Sequence, residues 1–298
     1  MTKNALPPLV SVGIPTYNRA NLLRRALQSV LRQDYTNLEI IVSDNCSPTN
    51  DTSEIVELCQ RDDKRIKFYK QAQTIGAKAN FIFVEQQAAG EYFIWLADDD
   101  EWVSDDFLSS LMKYANDYLL TFSSAVGIDG EKHIHINNCY EGCVSQEEYS
   151  LAFSANGAGY PFYGIYNRQK MVKADIKFEF PDWPYYGEGP FLHKVFLEGS
   201  TKYVPEAKMS FLCNSSMPAD VNIQIDAFVN YVEEVVRYYS SIKLPGALKA
   251  KLLANIFRVY HHHLEFLLSR SNFEHQAEEI KNSSILSRAY GKDKNFFK

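Results

Sequence analysis

The sequence predicts an α/β fold: a mainly parallel sheet flanked by helices, followed by a helical C-terminal region. Three observations carry that prediction. Over the first 125 residues, β-rich apolar runs alternate with segments whose apolar residues recur at helical spacing. Three of those runs end in polar or acidic tips, at Pro15-Thr16-Tyr17-Asn18-Arg19, Asp44-Asn45 and Asp98-Asp99-Asp100. Beyond about Asn222 the pattern is helical throughout. A strand-helix-strand rhythm implies parallel pairing through helical crossovers, with helices on both faces of the sheet.

The elements follow in order. Leu9 to Pro15 reads as the first strand, and Asn21 to Gln33 as a helix carrying Leu23, Ala26, Leu27, Val30 and Leu31 on one side. Leu38 to Ser43 is the second strand. Asp51 and Glu54 have the spacing of a capping pair for a helix bearing Ile55, Val56, Leu58 and Cys59. Ile66 to Tyr69 is a short third strand, Ala77 to Ala88 a helix, Tyr92 to Ala97 a fourth strand, and Ser104 to Ala115 another capped helix. His133 and His135 alternate with Ile134 and Ile136, which reads as a strand with one exposed face. Pro245-Gly246 and Ser271-Asn272 are breaks in the C-terminal helices.

Composition excludes several function classes. With 46% hydrophobic and 23% charged residues, the chain can bury a sizeable core, and its 298 residues suggest about two domains. A net charge of -6 and a pI near 5.7 argue against nucleic acid, whose phosphates recruit clustered Lys and Arg. Met1 to Pro8 lacks the apolar core of a secretory signal, and no apolar run approaches the roughly 20 residues that span a bilayer. The expected location is therefore cytoplasmic. The five cysteines are scattered, and Cys139 with Cys143 lacks a second pair for zinc, so free thiols are expected.

In open α/β sheets, ligands bind outside the carboxyl ends of the strands, so the three polar tips should meet on one edge. Three adjacent acids stabilise neither a helix nor a strand, and at a strand's end they suggest a divalent cation with a phosphate ligand. Neither G-x-G-x-x-G nor G-x-x-x-x-G-K-[ST] follows the first strand, which leaves no Rossmann dinucleotide site and no P-loop. Mg²⁺ or Mn²⁺ held by one or two carboxylates and by substrate phosphates would serve instead.

The run Val10 to Arg19, the strand Leu38 to Asn45, Gly90-Glu91-Tyr92 and the acid cluster together resemble the family 2 glycosyltransferases of the GT-A fold. That family uses nucleotide-sugar donors and inverts the anomeric centre, and the likeness covers about the first 115 residues. It implies a nucleoside pocket lined by Pro15, Thr16 and Tyr17, an Asp44 that contacts base or ribose, and a segment from Gly76 to Asn80, including Lys78, passing near the nucleotide. Arg19 and Lys78 read either as diphosphate ligands or as solvated charges. The family's Asp-x-Asp motif admits two registers here. Counting back from Ser104-Asp105 puts the metal on Asp99 and leaves Ala97 at the first acid; taking Asp98 to Asp100 as the motif puts the metal on Asp100, with Asp98 facing the ribose. The first is preferred, with Asp98 and Asp100 as close neighbours.

Sugar transfer needs a carboxylate to take the acceptor hydroxyl's proton. Asp182 and Glu188 are both candidates. Glu188 fits the family's pattern better, since Gly187 precedes it and Phe191, Leu192, Val195 and Phe196 follow at helical spacing; a carboxylate is also favoured at a helix start. The family's usual Glu-Asp pair reads Glu188-Gly189 in this chain. His193, a helical turn further on, reads as a residue that orients acceptor or diphosphate, or as core. Tyr160, Phe162, Tyr163, Tyr166, Trp183, Tyr185 and Tyr186 offer rings either to a sugar face or to the core.

The resemblance thus implies three regions: residues 1–125 for nucleotide-sugar and metal, 126–218 for the acceptor, and 219–298 as a helical extension. Its implied partners are a nucleoside-diphosphate sugar, with UDP the favoured nucleotide, and a saccharide or lipid-linked acceptor, plausibly in bacterial surface polysaccharide synthesis. Leu248, Leu252, Leu253, Ile256, Phe257 and Tyr260 form an apolar stripe beside Lys243, Lys249, Lys251 and Arg258. Such a stripe serves a peripheral contact at the inner face of a membrane, the catalytic domain, or a second copy of the chain, and the sequence leaves the three open. His261-His262-His263 falls on successive faces of a helical turn and reads as surface and core, not as a metal site. A nucleotidyltransferase making nucleotide sugars and a catalytically silent sugar-binding module are the alternatives.

Overall fold

The computed structural model describes residues 6–129, 132–136, 138–179, 187–213 and 221–269. Its first four main strands are β1 (Val10–Thr16), β2 (Leu38–Asp44), β3 (Ile66–Lys70) and β4 (Tyr92–Trp95). They lie side by side in the order β3-β2-β1-β4, all parallel. Helices α1 (Ala20–Leu31), α2 (Asp51–Asp62) and α3 (Ala77–Gln86) make the crossovers. Every residue of β1, β2 and β4 is buried, as expected of parallel strands covered on both faces.

Beyond β4 the same sheet continues through β8 (Ile165–Asn167), β6 (Leu120–Asp129), β9 (Thr201–Leu212) and the two-residue β5 (Glu101–Trp102), with β7 (Lys132–His135) paired to β6. Strand β8 runs antiparallel to both β4 and β6, while β6 and β9 pair in parallel along most of their length. Helices α4 (Phe107–Ala115), α5 (Gln146–Asn156), α6 (Arg168–Lys173) and α7 (Glu188–Glu198) cover this half, together with a 3-10 turn at Tyr160–Tyr163. The fold is the α/β arrangement expected from the sequence, with parallel pairing dominating by length.

The period-two alternation of the strands divides the interior into two cores. Ile40, Val42 and Ile94 pack on one face with α1, α2 and α4; Ile41, Phe93 and Trp95 pack on the other with α5 and α7. A third cluster joins α8 (Val221–Ser241) to α9 (Gly246–Ser269). Leu248, Leu252, Ile256 and Tyr260 are buried in it, and Leu151 of α5 and Leu197 of α7 pack against it. Of the three uses the sequence left open for this stripe, packing within the chain, on α8, α5 and α7, is the one seen here.

Local details differ from the sequence reading in two places. Asp51 and Glu54 do not form a capping pair: Asn50 takes the cap position without a side-chain bond, and the two acids sit in the first turn, where the helix dipole favours them. Helix α4 begins at Phe107, not Ser104, with Asp106 at the cap. A full capping box appears at α5 instead, where Ser145 accepts from the Glu148 amide and Glu148 reaches back to the Ser145 amide. The break at 242–245 between α8 and α9 falls where Pro245-Gly246 predicts it. Ser271-Asn272, Asp182, Trp183, Tyr185 and Tyr186 lie outside the described residues.

Candidate active site

The three polar strand tips converge at one edge. Thr16 and Asp44 are register partners at the ends of β1 and β2, and the Asn45 amide donates to the Thr16 carbonyl at 2.9 Å. The Thr16 hydroxyl donates to Asp98 Oδ2 at 2.7 Å, joining the first tip to the third. Pro15 is buried inside β1, while Tyr17 beyond it is 47% exposed at the mouth.

Asp98, Asp99 and Asp100 occupy the turn between β4 and β5, and that turn is anchored on both sides. Upstream, the Leu96 amide donates to the Gly13 carbonyl at 3.0 Å; downstream, Trp102 pairs with Met209 of β9. Arg19 Nη1 lies 3.2 Å from Asp98 Oδ1 and 2.9 Å from Asp99 Oδ2. Arg19 is thus an ion-pair partner of the acids and not a solvated charge. Burial pushes the Asp98 carboxyl above its ordinary range despite the opposing pull of Thr16 and Arg19. Asp100 is pushed up further, by burial first and then by the negative charge of Asp99 and Asp98.

Asp44 is fully buried at the end of β2. Its Oδ1 accepts from the Ser47 amide at 3.0 Å and the Ser47 hydroxyl at 2.5 Å, whereas Oδ2 has no hydrogen-bond partner among the described residues. An orphaned buried carboxylate oxygen is costly unless a ligand completes it. The Ser47 hydroxyl also accepts from the amide of Asn18, which adopts a left-handed conformation (φ 54°) just before Arg19. Lys78 lies in the first turn of α3, after Gly76 (φ 86°), and the neighbouring Ile75 amide donates to Asn45 Oδ1 at 2.8 Å. The α3 start is thereby held against the tip of β2, as the sequence reading requires.

Glu188 is the first residue of α7, where the sequence puts it. Burial raises its carboxyl above the ordinary range. A Cβ built on Gly159 would stand 3.4 Å from Glu188 Oε1, so the carboxylate abuts the residue that opens the 3-10 turn. Tyr163 closes that turn, and its phenol is raised by burial first, then by the fields of Asp100, Glu188, Asp99 and Asp98. The turn therefore bridges the acidic cluster and the helix that carries Glu188. At Gly189 a Cβ would lie 2.4 Å from Tyr231 Cε2, which leaves no room for a side chain. The second acid of the family's pair has no space here.

The other candidates are structural. His193 is fully buried, with Nε2 3.0 Å from the Tyr231 hydroxyl and Nδ1 2.7 Å from the Tyr239 hydroxyl. Burial lowers its pKa to about 3, so it is a neutral link between α7 and α8 and core is the reading it takes. Phe162 stacks on Trp95 at 4.6 Å and Tyr166 is buried beside them, so both belong to the core. Ser47 is a residue of the candidate site that sequence reasoning missed, and Tyr163 is one that it named without a place. Ser47 carried a local signal, a hydroxyl three residues after an aspartate at a turn; Tyr163 was one ring among many.

Among the described residues, no group of three or more His, Cys, Asp or Glu side chains could hold a metal alone. The acid turn nevertheless fits a hard divalent cation, because it offers carboxylate oxygens, already attracts one cationic group, and would leave the remaining ligands to phosphate.

A sheet of this topology, with a buried aspartate at one strand tip, an acidic turn at another and a carboxylate opening a facing helix, defines a GT-A protein. The chain belongs to the glycosyl transferase family 2, whose family model matches residues 11–169. It is 35% identical over 178 residues to a GalNAc(5)-diNAcBac-PP-undecaprenol beta-1,3-glucosyltransferase of Campylobacter jejuni, a stretch covering 58% of this chain and 50% of that protein. It is also 35% identical over 122 residues to the putative colanic acid biosynthesis glycosyl transferase WcaA of Escherichia coli, covering 38% and 43%. The chain spans about half the length of the curated relatives it matches. In fold it resembles S. aureus TarS 1-349 in complex with UDP-GlcNAc, at TM-score 0.67, 19% identity and coverage of 83% and 71%. It also resembles the mannosyltransferase PcManGT of Pyrobaculum calidifontis in complex with GDP-Man and Mn²⁺, at TM-score 0.60, 16% identity and coverage of 96% and 81%.

Proposed function

We propose that this protein is a metal-dependent inverting glycosyltransferase, moving a sugar from a nucleoside-diphosphate sugar to a hydroxyl of a saccharide or lipid-linked acceptor in bacterial surface polysaccharide synthesis. The observation that carries the reading is the convergence of Asp44, the Asp98–Asp100 turn and, across the 3-10 turn, Glu188. The relatives' names, one with an undecaprenol-linked saccharide and one with colanic acid biosynthesis, support the acceptor class. The UDP-GlcNAc bound by TarS supports UDP as the favoured nucleotide.

In this reading the nucleoside lies over Pro15, Thr16 and Tyr17, and the free Oδ2 of Asp44 accepts from a base N–H or a ribose hydroxyl. Lys78 and Arg19 face the diphosphate. Asp99 would hold Mg²⁺ or Mn²⁺, with Asp98 and Asp100 as the neighbouring acids. When bound, the cation neutralises charge on the departing diphosphate. Glu188 accepts the acceptor hydroxyl's proton on its carboxylate as that oxygen forms the new bond to the anomeric carbon and the nucleoside diphosphate leaves from the opposite face. The raised pKa of Glu188 suits that role, since a base closer to neutrality takes a proton more readily.

The half from 126 to 218, which carries Glu188, is proposed as the acceptor side. Among the described residues no helix is long and apolar enough to cross a membrane. A lipid-linked acceptor is proposed to be met at the inner face of the membrane.

Calorimetry with UDP, GDP, dTDP and CMP, each with and without Mn²⁺, tests the donor site on wild type, Asp99→Asn and Asp44→Asn. One nucleotide is expected to bind with metal dependence, weakly in Asp99→Asn and with reduced selectivity in Asp44→Asn. Full transfer activity of Asp99→Asn with a verified donor would remove the metal assignment.

A further inference from the structure

Arg19 is the cationic partner of the acid turn. A single nitrogen, Nη1, bridges one oxygen from each of Asp98 and Asp99. Asp98 Oδ2 is engaged by the Thr16 hydroxyl, so the guanidinium meets the other oxygen of Asp98 together with one oxygen of Asp99. Both carboxylates are nearly enclosed, whereas the Arg19 side chain keeps a third of its surface exposed. The enclosed partners are fixed by the β4–β5 turn, and the exposed partner stands on a long, rotatable stem.

The backbone beneath that stem is fixed. Leu23 donates to the Arg19 carbonyl at 2.9 Å at the start of α1, and Asn18 is tied through Ser47 to Asp44. The stem above that fixed backbone is what carries the guanidinium to the two carboxylates. A divalent cation and a guanidinium sharing the same two carboxylates repel each other across a few ångströms, with little water to screen them. A diphosphate offers the guanidinium an alternative, since planar N–H donors match phosphate oxygens as well as carboxylates.

We propose that Arg19 is a resident counter-cation that shields the Asp98–Asp99 pair in the empty enzyme and turns to the diphosphate as the donor enters, so that divalent metal binds tightly only together with nucleotide. This inference rests on the metal-dependent reading above. It adds an order of assembly: the acids are neutralised from within until the nucleotide arrives. In the empty site the enzyme gains nothing from free metal; with the donor present, the guanidinium and the metal neutralise different parts of the same diphosphate.

Nucleotide-free Mn²⁺ binding tests it on the full chain, followed by loss of the free-ion electron paramagnetic resonance signal. Wild type is expected to bind weakly, and Arg19→Gln at least about tenfold more tightly, since removing one positive charge beside two buried carboxylates strengthens their hold on another cation. Arg19→Lys, which keeps the charge, should stay near wild type, and Arg19→Gln/Asp99→Asn should lose the gain. Circular dichroism and the Tm of each variant verify that it is folded. If Arg19→Gln binds Mn²⁺ no better than wild type while UDP or GDP still brings the metal onto both, the gate is overturned and the metal site stands. A gain of the same size in Arg19→Lys also overturns it. If no Mn²⁺ binds to any variant with or without UDP, GDP or dTDP, the metal-dependent reading falls and this inference with it.

Discussion

Gly189 offers a sharp test of how the start of α7 is built. Replacing it with alanine would place a Cβ 2.4 Å from Tyr231 Cε2, 2.8 Å from Cζ and 3.1 Å from the hydroxyl. The ring cannot rotate away cheaply, because its hydroxyl holds His193 at 3.0 Å and also meets the Tyr260 hydroxyl. Overpacking of this kind costs about 1–3 kcal/mol. At about 2–4 °C per kcal/mol, the scale for domains of some 150–250 residues, Gly189→Ala should lower Tm by several degrees. Differential scanning fluorimetry measures that directly. Tyr231→Leu removes the clashing atoms, so the increment caused by Gly189→Ala should shrink towards zero in that background. Gly189→Asp, which restores the family's acidic pair, should destabilise more than alanine. Equal increments from Gly189→Ala with and without Tyr231 would refute the argument, as would a neutral Gly189→Ala.

Two further outcomes follow from buried carboxylates of opposite character. Glu188 has a raised pKa, so the folded protein holds that proton more tightly than the unfolded chain; its contribution to stability is largest below the ordinary carboxylate range and declines as pH rises to the folded value. The stability gap between Glu188→Gln and wild type should widen in favour of the variant over that interval, while transfer by the wild type rises with deprotonation at a pH above that of an ordinary glutamate. A parallel pH dependence of stability in the two proteins would count against it. Glu39 is the converse case: burial alone would raise it, but hydrogen bonds from Lys67, Ser11 and the Ala89 amide outweigh that and hold it low. Glu39→Ala should cost about 1–3 kcal/mol, because the Ser11 hydroxyl and the Ala89 amide lose their acceptor while the half-exposed Lys67 returns to water. Its folded pKa being lowered, that stabilisation is present above the unfolded value and is lost as pH falls through the folded one; urea titrations in which the gap persists undiminished in acid would contradict the assignment.

The N-terminal half was legible because its signals are local. Strand β2 reads as a run of buried apolar residues ending in Asp44, and the position of that aspartate beside Thr16 follows from parallel register alone. The same logic brings Asp98 to the edge, although nothing in the sequence shows that Arg19 reaches it across some eighty residues. Glu188 was found by its helix start, but its neighbours were not: Gly159 and Tyr163 meet it through a 3-10 turn whose aromatic composition matches the surrounding core. His193 shows the limit of spacing arguments. A turn away from Glu188, it faces Tyr231 and Tyr239, because the α8–α9 pair covers that side of α7. The stripe on α9 shows the same limit, since an amphipathic helix records that it has a partner and not which one.

The acid turn also has a history within each round of synthesis. Its upstream arm, β4, pairs with β1, which has already left the ribosome; its downstream arm, β5, pairs only with β9, near the end of the sheet's sequence. Until residues around Met209 emerge, Trp102 has no strand partner, and the downstream arm of the turn rests on contacts from α1 and its C-cap. Long-range pairings of this kind close late in folding. The edge made by β1 and β2 can therefore form on a nascent chain well before the acid turn beside it is locked, and the newborn protein completes the second anchor of its charge cluster last.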